Sequence, residues 1–257
     1  MNSVHLLPNE FERRLEPHEI GQELTSVQRL QVSDKTALKT EQEELVVIII
    51  DGSITFSSSE ASGNATYRDM IYVPRNSQIE VGPSDGASAT IVCFWAPCDR
   101  DTSFKVVAFS EVDSDPNRHH TYGDAANGSR REVWDFIDEP FDSQRMLCGQ
   151  ALGELGGWTA WPPHEHGEQR EETYVYFGLD GSFGVQLVYE GGDGMDSPHS
   201  VSLVREGHLV SVPGGYHPSV GSPAGGLSYV YFMASRTKED RKFMDLTIQP
   251  EYGVKFD

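Results

Sequence analysis

Two histidines one residue apart, His164 and His166, follow a double proline in the stretch WTAWPPHEHGEQREETYVYF, which runs from Trp158 to Phe177. A glutamate pair, Glu171 and Glu172, then leads into alternating aromatic residues, and further on VPGGYHP supplies His217. Neutral imidazoles suit Zn, Mn, Fe, Ni or Cu. A carboxylate completes a mixed nitrogen and oxygen set that leaves positions open for a substrate. In an extended strand, residues i and i+2 face the same way, so His164 and His166 can point at one centre. Pro213, Gly214 and Gly215 precede His217, and small residues there let the backbone turn the imidazole inward. A lone histidine near prolines reads as an ordinary loop residue. Three of them with a carboxylate and a Gly-rich turn read as a divalent-metal site.

Such a site needs strands to carry it, and the chain is patterned for strands. Of its 257 residues 37% are hydrophobic, 25 are Gly and 14 are Pro, and short β-branched or aromatic runs outnumber segments of helical period. The expected strands of the first half are 45–50, 54–56, 70–74, 78–81, 89–96 and 104–109. Those of the second half are 133–137, 145–152, 158–161, 172–177, 183–189, 200–205, 208–212 and 227–234. Residues 1–40 are expected to give edge strands that wrap the first half, and Ser57–Thr66 a polar loop. Residues 110–131, with Asp-Pro, His-His and Asn-Gly, read as an inter-domain linker in which His119 and His120 are solvated. The tail from Arg236 reads as a short helix or an irregular cover.

The halves repeat one another. EELVVIIIDGSITF parallels EETYVYFGLDGSFGVQLVY, aligned on Asp51-Gly52-Ser53 and Asp180-Gly181-Ser182. MIYVPRNSQIEV parallels HLVSVPGGYHPSV on Pro74 and Pro213, and ATIVCFWAP parallels LSYVYFMAS. This predicts an all-β protein made of two copies of one barrel unit. Residues 1–115 form the first copy and 116–257 the second. These anchors set Gln78 opposite His217, and Lys35 and Ala37 opposite His164 and His166, so the first copy carries no metal site.

Composition removes several functions. With 40 acidic against 20 basic residues the net charge is −20, which repels phosphate backbones and argues against nucleic acid. Cys93, Cys98 and Cys148 lack metal-finger spacing, and Cys93 sits in an apolar run, as a core residue does. No apolar run is long enough to span a bilayer, and the N-terminus lacks the pattern of a signal peptide. The expectation is a soluble cytoplasmic protein acting on a small molecule, with a homo-oligomer left open.

The two histidine stretches resemble the paired motifs of the cupin superfamily. The first is Gly157, His164-x-His166, a glutamate and Gly178. The second is Gly207-x5-Pro213-x-Gly215-Tyr216-His217, one residue shorter before its histidine than the general form. With its repeat, the chain looks like a bicupin of two tandem double-stranded β-helix (jelly-roll) barrels. WPPHEH, EETYVYF, VPGGYHP and SYVYFMAS are similar, more narrowly, to the 5-deoxy-glucuronate isomerase family of myo-inositol catabolism. The sister family, the 5-keto-4-deoxyuronate isomerases, shares the E-x-Y-x-Y-F pattern. General cupin spacing selects Glu171 as the carboxylate ligand, whereas the longer isomerase match selects Glu172; Glu172 is taken here.

The resemblance implies an aldose–ketose isomerisation of 5-deoxy-D-glucuronate to 5-dehydro-2-deoxy-D-gluconate. The implied cofactor is a divalent metal, Zn or Mn before Fe or Ni, on His164, His166, Glu172 and His217. Tyr174, Tyr229 and Tyr231 are the candidate catalytic residues, each otherwise a wall residue of its strand. The substrate's carboxylate calls for a cation, and Arg suits it bidentately. Arg205 and Arg236 are the candidates, with Arg145 nearby, and Gln186 is a candidate for binding hydroxyls. Family members often carry an arginine at or next to Leu187, where this chain reads Gln186-Leu187. Two other readings compete: a cupin oxygenase, separable by oxygen consumption, and a non-enzymatic sugar-binding cupin, separable by full function without metal.

Overall fold

The β-branched and aromatic runs fold into antiparallel sheets. The computed structural model describes residues 3–253 and is nearly all β. Glu43–Asp51 is buried along almost its whole length because both faces of its sheet are covered. A strand of that kind reads as a continuous apolar run rather than an alternating one. Its sheet has five strands, in the order Lys105–Val107, Met70–Val73, Glu43–Asp51, Ala89–Pro97, Ser26–Val32. On one face Val47, Ile49, Ile71 and Ile91 pack over a four-stranded sheet of Thr36–Lys39, Gln78–Pro83, Ser53–Ser58 and Ser62–Thr66. On the other, Val46, Ile48, Val92 and Phe94 meet Val175, Val230 and Phe232 of the second half.

The second half places Leu209–Val212, Arg170–Tyr176, Ser228–Ser235 and Met146–Gly153 in the same order as Met70–Val73, Glu43–Asp51, Ala89–Pro97 and Ser26–Val32 of the first sheet. Arg131–Ile137 and His119–Tyr122 extend this sheet at one edge, and His5–Leu6 at the other. A four-stranded sheet of Trp158–Thr159, Ser219–Gly221, Gly184–Val188 and Ser200–Val204 closes over it, again in the order seen in the first half.

Four segments differ from expectation. Ser57–Thr66 is no loop, because Ser53–Ser58 and Ser62–Thr66 pair as a hairpin. Of SGNAT only Ala65 is buried, and an edge strand needs backbone pairing rather than an apolar face. The expected linker holds the helix Phe109–Asp113 and the strand His119–Tyr122. There His119 stacks on Trp134 at 4.9 Å and His120 Nε2 lies 3.3 Å from Asp135. At the N-terminus, His5–Leu6 pairs with Leu209–Val212, so the arm reaches the second half. At the other end Thr247–Ile248 pairs with His164–Glu165, which makes the tail a strand beside the histidines. Cys93, Cys98 and Cys148 are free and buried. Among the described residues no helix is long and apolar enough to cross a membrane.

Candidate metal centre

His164 opens the short strand His164–Glu165, Glu172 lies on Arg170–Tyr176, and His217 falls in the turn between Leu209–Val212 and Ser219–Gly221. With His166 they form one buried cluster, none more than 7% exposed. A ligand nitrogen from each of the three histidines lies within 4.8 Å of the other two.

Backbone carbonyls set the tautomers. His164 Nδ1 lies 3.0 Å from the Pro162 carbonyl, and His217 Nδ1 lies 2.8 Å from that of Gly215. A carbonyl only accepts, so Nδ1 carries the proton and Nε2 keeps its lone pair, the state a metal ligand needs. The Gly-rich turn is required for this. Gly215 has φ +89°, and a Cβ there would stand 2.7 Å from the Tyr189 carbonyl. His217 Nε2 is buried without a hydrogen bond, although it lies 3.0 Å from Glu172 Oε2. A buried ring nitrogen left this way, beside two more imidazoles and a carboxylate, fits a divalent cation.

His166 is held differently. Its Nδ1 lies 3.2 Å from Arg170 Nη2, and its Nε2 lies 3.1 Å from Glu172 Oε2. A guanidinium only donates, so here Nδ1 accepts and Nε2–H donates to the carboxylate, and His166 would have to leave this tautomer to ligate through Nε2. Burial alone would raise the Glu172 carboxyl. The imidazoles of His166 and His217 outweigh that and hold it well below the usual carboxylate range. Burial, and then the neighbouring rings, holds His164 well below its ordinary value, and burial lowers His166 against the pull of Glu172. Neutral imidazoles around an ionised carboxylate are what a cation requires.

Glu171 points away, as strand alternation demands. Its carboxylate accepts the backbone N–H groups of Glu23, Leu24 and Thr25 at 2.8, 2.9 and 2.7 Å, and the Thr25 hydroxyl at 2.7 Å. It ties down the N-terminal arm.

The cluster opens on a cavity whose wall includes Tyr122, Arg131, Tyr174, Tyr229, Tyr231 and Phe243. Burial raises the Tyr174 and Tyr231 phenols well above their ordinary range, and Glu172 and Asp135 respectively add to it. Burial pushes Tyr229 up to about 12. All three remain protonated at neutral pH and act as hydrogen-bond donors. The Tyr231 hydroxyl donates to Asp135.

The expected substrate contacts fall elsewhere. Gln186 lies behind His217, where it accepts from the Tyr176 hydroxyl and donates to the His217 backbone carbonyl. Arg205 is exposed just past the strand Ser200–Val204, and Arg236 pairs with Glu23 of the N-terminal arm. Arg145 donates to the carbonyls of Pro97 and Ser235. None of these four lines the cavity, because each sits in a turn, at a strand end or on the reverse of the cavity wall. Arg131 was missed. It is 3% exposed and opens Arg131–Ile137, where alternation gives it the same face as Val133 of the cavity wall. Beginning the strand two residues earlier would have found it.

A buried cluster of three histidines and a carboxylate, set within a fold of antiparallel sheets, is the site of a cupin-type protein. The model of the KduI/IolB family matches residues 10–250, and the chain belongs to that family. It is 30% identical over 196 residues to a Shouchella clausii protein named 5-deoxy-glucuronate isomerase, covering 71% of this chain and 67% of that one. A Bacillus subtilis protein of the same name is 25% identical over 225 residues, covering 79% and 78%. Among solved structures, an iolb-like protein from Salmonella typhimurium LT2 superposes with a TM-score of 0.80 at 18% identity, covering 95% of this chain and 94% of that one.

Proposed function

We propose that this chain is a metal-dependent aldose–ketose isomerase that converts 5-deoxy-D-glucuronate to 5-dehydro-2-deoxy-D-gluconate in inositol catabolism in the cytoplasm. The buried cluster of His164, His166, His217 and Glu172 beside a tyrosine-walled cavity carries this reading. Relatives named for that activity, matched over most of the chain, support it. The four residues hold the cation, with Zn or Mn preferred and Fe or Ni next. When bound it would polarise the sugar's C1 carbonyl and its C2 hydroxyl. Isomerisation moves one hydrogen from C2 to C1 and one proton from the C2 hydroxyl to the C1 oxygen. Tyr174, Tyr229 and Tyr231 are buried, protonated and on the wall, so they are placed to exchange the second of these, with Asp135 behind Tyr231.

The matching strand orders support a bicupin of two jelly-roll barrels divided near residue 115, with the site in the second. Register supports a first barrel without a metal site. Leu45 pairs with Val73, the residue before Pro74, just as Glu172 pairs with Val212, the residue before Pro213. The first copy therefore has leucine at the position of the carboxylate.

The test is incubation of purified protein, loaded with Mn or Zn to one equivalent by elemental analysis, with 5-deoxy-glucuronate. Ketose formation is expected; its absence from a fully loaded sample sinks the proposal. His164→Ala should lose both bound metal and turnover, and retained metal would move the site elsewhere.

A further inference from the structure

Four adjacent strands carry a row of side chains from the cavity to the surface. Tyr231 pairs with Gly149, Gly149 pairs with Asp135, and His120 lies on the next strand out. We propose that Asp135 and His120 are positioning residues for proton exchange at Tyr231: Asp135 takes the phenol's proton while the phenol takes one from the sugar's C2 hydroxyl, and His120 fixes Asp135 from the surface side. The inference rests on the isomerase reading and names what stands behind the tyrosine that reading uses.

A glycine makes the row possible. Tyr231 and Asp135 lie on strands separated by Met146–Gly153, and the phenol reaches the carboxylate by crossing over Gly149. A Cβ there would collide with the Tyr231 hydroxyl and the Trp134 carbonyl, so the missing side chain is the tyrosine's path. The Tyr231 hydroxyl donates to Asp135 Oδ1, and the other oxygen, Oδ2, lies 3.3 Å from His120 Nε2. Asp135 pairs with Gly149 but Ile137 with Cys148, which leaves Phe136 as the extra residue of a bulge just after the aspartate. A bulge re-aims the side chains beside it. Burial falls away along the row: Tyr231 lines the cavity and is 4% exposed, whereas the His120 side chain is 30% exposed.

The carboxylate thus stands between a phenol and an imidazole. Asp135 raises the His120 ring above its ordinary value against the effect of burial, and the Asn117 carbonyl and Asp115 add to the rise. The other ionisable groups nearby are Tyr122 beside the His120 ring, Cys148 on the intervening strand, and Arg131 over the Tyr122 ring. Burial raises Tyr122 and Cys148, so neither is charged at neutral pH. Arg118 donates to the backbone carbonyls of Asp135 and Phe136, and Asp113 and Glu132 face His119. From the tail, the Phe243 ring packs on Tyr231. The exchange balances. The C2 O–H bond breaks and a Tyr231 O–H bond forms as the phenol's own proton passes to Asp135, leaving an alkoxide and a neutral carboxyl. The hydrogen on C2 moves with its electron pair to C1, so C2 becomes the ketone and the C1 oxygen the alkoxide. Asp135 then returns its proton through Tyr231 to the C1 oxygen.

The experiment reads kcat, KM and bound metal with 5-deoxy-glucuronate for zinc-loaded wild type and five variants: Tyr231→Phe, Asp135→Asn, their double, His120→Gln and His120→Leu. Tyr231→Phe and Asp135→Asn should each lower kcat about 100-fold, within the range of a placed proton acceptor, with KM and metal content unmoved. The double should be no slower than either single, because residues of one relay act as a unit. His120→Leu should lower kcat about tenfold, the low end for a hydrogen bond to a charge, and His120→Gln, whose amide still donates, should lose less. Histidine NMR of the same samples needs no turnover. His120 should titrate above the ordinary 6.5 in wild type and fall in Asp135→Asn. In Tyr231→Phe it should rise, since the carboxylate charge is shared with one donor fewer. Additive losses in the double, a kcat unmoved in Asp135→Asn, or a His120 titration unmoved by both substitutions overturns the proposal. If Asp135→Asn does not fold, the two His120 variants decide, and equal kcat in both overturns it. A wild type that holds zinc but forms no ketose sinks the isomerase reading, and the His120 titration still decides the relay.

Discussion

Glu171 and Glu172 are adjacent, buried and chemically identical, yet the pleat gives them opposite work. Glu172 lies 3.1 Å from His166 Nε2 and 3.0 Å from His217 Nε2, whereas Glu171 collects three backbone N–H groups and a hydroxyl from the N-terminal arm. A pair of substitutions separates the roles. Glu172→Gln should lose bound metal on dialysis against a weak chelator and keep its fold. Glu171→Gln should keep the metal and lose about 2–3 kcal/mol of stability, since hydrogen bonds to a buried charge are among the strong ones. Elemental analysis and urea melts check both, and the opposite pattern would exchange the two assignments.

At the level of elements, the tail is the part that sequence patterning described least. Thr247–Ile248 pairs with His164–Glu165, and Phe243 and Leu246 form part of the cavity wall. Arg170 joins this segment to the cluster through the Asp240 and Asp245 carbonyls on one side and His166 Nδ1 on the other. Arg170→Met should therefore loosen the tail and disorient a ligand together. Outer partners of metal ligands are commonly worth 10- to 100-fold in affinity, so a loss of about tenfold in metal affinity is expected. Limited proteolysis should show faster cutting between residues 236 and 250. Unchanged cutting with unchanged affinity would leave Arg170 as packing only.

Across the whole molecule, the halves are sewn together by core and by charge. Phe94 and Phe232 stack with ring centroids 4.5 Å apart in the core between the two large sheets. Glu44 and Glu171, one residue before the register positions of Leu45 and Glu172, act alike. Glu44 accepts the backbone N–H groups of Gln144 and Arg145, and Glu171 those of the arm. Each half thus fastens a segment from the other. Phe94→Ala and Phe232→Ala should each cost about 3–5 kcal/mol. The double substitution should cost less than their sum, and the halves should unfold in one transition. Two separate transitions in the wild type would show that the shared core does not couple them.

The sequence by itself determined the β class, because alternating and continuous apolar runs are a property of the chain. It also determined the histidine set, because His164-x-His166 and a Gly-rich turn before His217 are local patterns. Tertiary structure alone decided which cations face the cavity. Arg205 and Arg236 turned out to lie in a turn and against Glu23, while Arg131, read as linker, lines the wall. Only the tertiary structure, too, shows that the N-terminal arm and the tail close against the second half. Pairing over such separations depends on which strands become neighbours, and no local pattern encodes that. The stretch from Trp158 to Phe177 could announce a metal site, but not which residues from distant strands line the cavity beside it.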